Sequence, residues 1–78
     1  MRVIKELFVQ DIRISIFEWN QKYLIKYEMG PFEQTYKISL WDVSDLAELE
    51  IKVTDIETLK EVSRIFKEMA LIQKNLSD

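Results

Sequence analysis

The chain has 78 residues, 47% hydrophobic and 32% charged, with a formal net charge of −3 and neither cysteine nor histidine. That length and composition describe one globular domain with a modest core rather than a disordered chain or a multidomain protein. Without Cys or His the chain lacks disulfides, the usual zinc ligands and the side chains most easily tuned to ionise near neutral pH, so no catalytic residue, metal site or cofactor is expected.

Residues 3–10 are expected to form a first strand. Residues 12–19 alternate with period two and are rich in Ile and aromatics, which predicts a second strand. Asn20-Gln21 follows as a tight turn. Asn tolerates positive φ there, whereas Gln21 stands where a type I′ turn favours Gly. Residues 22–28 alternate again. Met29-Gly30-Pro31-Phe32 holds the only Gly and the only Pro, a second turn signal, and residues 33–41 form the next alternating run.

Residues 42–54 fit two patterns. Ala47, Leu49, Ile51 and Val53 alternate with charged residues as in a strand, while Leu46, Leu49, Val53 and Ile56 fit a helix that Ser44 could cap. The β-branched Ile51 and Val53 tip the balance slightly toward a strand. Beyond them Thr54-Asp55-Ile56-Glu57 matches a capping box, with Thr54 as N-cap, and Ile56, Leu59, Val62, Phe66, Met69 and Leu76 follow helical spacing. The expected fold is α+β: an antiparallel sheet of about four strands, or five, with one long C-terminal amphipathic helix packed on one face.

Two-residue turns at Asn20-Gln21 and Gly30-Pro31 fix the register of the middle strands. They sort Ile12, Ile14, Ile16, Tyr23, Ile25, Tyr27, Tyr36, Ile38 and Leu40 onto one face, the expected core. The opposite face collects the candidate binding residues Arg13, Phe17, Trp19, Lys22, Lys26, Lys37 and Trp41, together with Leu24, Glu28 and Glu33. Cations beside flat aromatics suit the stacking of bases and the neutralising of phosphates, as in single-stranded nucleic-acid binders. Against this, the same aromatics suit packing by another strand or a second subunit, and the acidic net charge favours that alternative.

The predicted helix is ~30 Å long against ~20–24 Å for a strand of six or seven residues, so its last turns should overhang the sheet. Leu71, Ile72 and Leu76 lie there and are the candidate self-association residues; a frayed end is the equal alternative. The stretch from Ile16-Phe17-Glu18-Trp19-Asn20-Gln21-Lys22-Tyr23-Leu24-Ile25-Lys26 to Glu33-Gln34-Thr35-Tyr36-Lys37 resembles a small family of uncharacterised Bacteroidetes-like bacterial proteins. The resemblance implies no activity. The order of four antiparallel strands and a terminal helix is also similar in layout to the PC4-type single-strand-binding fold, which dimerises, though no motif is shared.

These features give the expectation of a non-enzymatic binding or interaction module that forms a homodimer, with single-stranded nucleic acid as the alternative partner. The absence of cysteines, of a signal-like N-terminal run and of a membrane-length apolar segment gives the expectation of a cytoplasmic protein with no membrane partner.

Overall fold

The computed structural model describes residues 1–77. Four eight-residue strands, β1 (Arg2–Val9), β2 (Ile12–Trp19), β3 (Lys22–Met29) and β4 (Phe32–Ser39), form one antiparallel meander in the order β1-β2-β3-β4. Each turn has two residues, so the strands recur every ten residues although the sequence shows no repeat. Asn20 and Gln21 both have positive φ (56° and 63°), as a type I′ turn requires. Gly30 (φ 59°) before Pro31 suits type II′, the form that places Gly first. The pairings Ile14–Tyr27, Ile16–Ile25 and Phe17–Leu24, then Tyr23–Ile38 and Ile25–Tyr36, are those the hydrophobic alternation gives.

A 3₁₀ turn (Leu40–Asp42) ends the sheet, with the Ser39 hydroxyl accepting from the Trp41 amide. Two helices follow, α1 (Leu46–Val53) and α2 (Ile56–Ser77). No fifth strand forms among the described residues. Asp45 caps α1, its Oδ1 accepting the Glu48 amide at 2.8 Å. Leu49 and Val53 are buried on one face of α1, while Ile51 projects outward, 71% exposed. Leu46, Leu49 and Val53 have the helical spacing, and this burial together with the Asp45 cap outweighs the weak β preference of Ile51 and Val53.

The expected Thr54 capping box is not formed either. Thr54 terminates α1, its hydroxyl and its amide both donating to the Glu50 carbonyl. Asp55 takes over at the start of α2, its carboxylate accepting from the Glu57 amide at 3.1 Å.

Ile12, Ile14, Ile16, Ile25 and Tyr27 of the sheet form a single buried cluster with Leu49 and Val53 of α1 and Val62 and Phe66 of α2. Phe66 is fully buried. Of the other residues assigned to the core face, Tyr23 and Ile38 are half-buried against this cluster, and Tyr36 is 42% exposed at the sheet edge. Leu40 lies in the 3₁₀ turn. Two side-chain hydrogen bonds tie the layers together: Tyr27 Oη to the Val53 carbonyl at 2.8 Å, and Gln34 Nε2 to the Val62 carbonyl at 3.0 Å.

Candidate interaction surfaces

The outer face of the sheet brings together six of the seven residues singled out for it. Arg13 is held by Glu6 of β1 at 2.8 Å; this hydrogen bond and the Glu6 charge raise the guanidinium pKa, with a smaller contribution from Glu28. The Lys26 ammonium stands 5.9 Å from the centre of the Phe17 ring, 3.7 Å from Glu33 and 3.9 Å from Glu28. Lys22 lies opposite Trp19, and Lys37 opposite Leu24. Neither lysine enters an ion pair among the described residues. Trp19 is 49% exposed, while Leu24 and Ser15 are covered by their neighbours.

Trp41 is not part of a strand. The chain leaves the sheet at Ser39, and Trp41 sits in the 3₁₀ turn, 83% exposed. The sequence pattern also missed the contribution of β1. Phe8 lies opposite Arg13 and Val3 opposite Phe17, both exposed. A bulge at Ile4 shifts the register between Val3 and Lys5 and breaks the alternation that would have assigned them. With Glu6 included, the face carries four bases against three acids, one charge less positive than the middle strands alone suggest.

The second surface is the end of α2. Met69 is the last residue packed against the core, and residues 70–77 are all exposed. Leu71, Ile72 and Leu76 are 62%, 58% and 82% exposed. Ile65, Met69, Ile72 and Leu76 are spaced four, three and four apart, the spacing of a coiled-coil seam. The seam begins half-buried at Ile65 and ends in the open at Leu76.

A third feature follows from the helical course of residues 46–53. An open cleft of about 740 Å³ lies between β4, α1 and the first half of α2. Its floor is apolar (Leu49, Val53, Val62) and its rim is charged (Lys52, Glu57, Glu61). Tyr36, Lys37 and Ile38 close its β4 side, so the cleft reaches the sheet edge. Leu49, Lys52 and Val53 of α1 line it, and the strand assignment for residues 42–54 did not place them there.

Among the described residues no group of three or more acidic side chains is placed to hold a metal ion, and no helix is long and apolar enough to cross a membrane. No protein-family model, curated protein or solved structure matches the chain.

Proposed function

We propose that the chain is a non-enzymatic protein-interaction module that associates with a second copy of itself. The observation that carries this reading is the open end of α2. Two helical turns beyond the core present Leu71, Ile72 and Leu76 to solvent, in continuation of the Ile65–Met69 seam. A small domain gains most from covering such a stripe, and a helix carrying the same stripe is a shape-matched cover. In this reading α2 lies along the core face of the sheet and extends past it. A reducing, cytoplasmic setting suits a chain of this size without cysteine.

Sedimentation equilibrium tests the reading. The chain should be a dimer at micromolar concentration, and Ile72→Glu with Leu76→Glu should make it monomeric with its circular dichroism intact, because neither side chain belongs to the core. A wild-type monomer at millimolar concentration would refute it.

A second reading, binding of single-stranded nucleic acid, rests on the half-exposed Trp19 beside Lys22. The ion pairs of Arg13 and Lys26 and the position of Trp41 outside the strands leave it the weaker of the two.

A further inference from the structure

The two edges of the sheet are built differently. β1 carries the bulge at Ile4, and its Lys5 lies opposite Ile16, on the core face, where its ammonium reaches Glu50 of α1 at 3.1 Å. A bulge and an inward-placed charge are the usual devices that discourage strand addition at an edge. β4 has neither. Its eight residues pair with β3 without a break in register, and no Pro interrupts them.

The direction of its free backbone groups follows from the turn. A two-residue turn makes Met29 and Phe32 a hydrogen-bonded pair, and alternation then turns the amides and carbonyls of Gln34, Tyr36 and Ile38 toward β3. The Leu40 amide bonding to the Gln21 carbonyl at 3.2 Å continues the same series. Glu33, Thr35, Lys37 and Ser39 therefore present their backbone groups outward. Among the described residues no side chain or loop from another element bonds to the backbone of Glu33, Thr35 or Lys37.

We propose that the β4 edge pairs antiparallel with the β4 edge of a second copy, about a two-fold axis at Thr35, to make one continuous eight-stranded sheet. This rests on the self-association proposed above and places a contact at the sheet edge, separate from the exposed stripe of α2, so that the two surfaces are tested by separate variants. The choice of a second copy over another peptide comes from the charge pattern. With Thr35 opposite Thr35 of the partner, Glu33 falls opposite Lys37 and Lys37 opposite Glu33, so the symmetric register forms two opposite-charge cross-strand pairs. On the core face the same register sets Phe32 against Ile38, both half-buried in one copy, and Gln34 against Tyr36. Lys37, which has no ion-pair partner among the described residues of its own chain, gains one. Because Gln34 of β4 holds the Val62 carbonyl of α2, the axis also sets the two α2 helices antiparallel on the same side of the joined sheet.

Charge exchange tests the register. Lys37→Glu sets two carboxylates against each other at both contacts of the dimer, and Glu33→Lys sets two ammonium groups against each other at both. Each variant should raise the dimer dissociation constant about tenfold or more at low salt. Mixing the two variants should restore wild-type affinity as a heterodimer, since each contact then joins opposite charges, and so should the double variant. Thr35→Cys gives an independent reading. It would introduce the only thiol in the chain, and a hydrogen-bonded antiparallel pair places its Cα atoms about 5.5 Å apart, within disulfide reach. Oxidation of this variant should link two copies, whereas Glu48→Cys, on α1, should not link. A wild-type dimer that both charge variants leave intact would overturn the edge register while leaving self-association standing. A wild-type monomer at millimolar concentration would overturn both.

Discussion

The Tyr27 hydroxyl, rising from the sheet, donates to the carbonyl of Val53, the last residue of α1, and so satisfies one of the helix-end carbonyls that have no partner within the helix. Tyr27 is 3% exposed. Burial, with Tyr36 nearby adding to it, pushes the phenol from its ordinary 10.0 up to about 12. The folded protein therefore favours the neutral phenol. The corresponding stability is complete below pH 10 and lost as pH rises from 10 toward 12, because in that window the native state binds the proton that the unfolded chain releases. The loss should reach roughly 2–3 kcal/mol at most. Urea unfolding at pH 8, 10 and 11.5 should show it, and Tyr27→Phe should be flatter across the window. The variant should also be less stable at pH 8 by about 1–3 kcal/mol, with the Val53 carbonyl left unpaired. Equal pH slopes for the two proteins would dispose of this assignment.

Gln10 and Gln21 hold φ of 54° and 63°, a region where a side chain with a Cβ costs roughly 1–2 kcal/mol. Gly at either position removes that strain but frees the unfolded chain, offsetting part of the gain. Gln21→Gly should raise stability by up to about 1 kcal/mol, visible as a shift in the urea midpoint at constant slope. A loss of stability would mean that the Gln21 side chain contributes something beyond the turn.

The helix boundary at residues 45–57 can be tested by its caps. Asp45→Ala should cost about 1 kcal/mol, since the Glu48 amide loses its acceptor. Thr54→Val keeps the shape of a residue that caps no helix N-terminus, and should cost less. The reverse ranking, measured by thermal unfolding, would restore the capping box at Thr54.

This boundary also shows where the sequence is legible. The registers of β2, β3 and β4 could be read because the two-residue turns fix the pairing and that pairing sorts the apolar residues onto one face. Residues 42–54 could not, because Leu49, Ile51 and Val53 serve either period, and only the burial of Leu49 and Val53 on one helical face, together with the Asp45 cap, decides between them. The faces of β1 were hidden by the bulge at Ile4, and with them Glu6, which changes the electrostatics of the outer face. Trp41 was assigned to the last strand for a related reason. Nothing in the alternation of residues 33–41 marks the point where Ser39 turns the chain out of the sheet. The exposed end of α2 was legible only in part: length, ~30 Å of helix against ~20–24 Å of strand, pointed to an overhang, but a frayed end fitted equally well.

The outer face gives the last prediction. A single-stranded nucleic acid would need cations free to meet phosphates and rings free to stack. Arg13 is engaged by Glu6, and Lys26 by Glu28, Glu33 and the Phe17 ring, which leaves Lys22 and Lys37. Two phosphate contacts on a single strand would give a salt slope of only about −1.4, far below that of a dedicated binder. Trp19 could stack one base, a contact worth roughly 1–3 kcal/mol. The sum predicts no saturable binding of oligothymidylate at about 50 mM salt and no quenching of tryptophan fluorescence. Glu6→Gln should release Arg13, and a weak, salt-sensitive affinity gained by that variant would show that the ion pair suppresses binding on an otherwise suitable surface. Tight binding by the wild-type chain, with a slope steeper than about −3 and abolished by Trp19→Ala in a folded protein, would instead make the outer face a nucleic-acid site and displace self-association as the leading function.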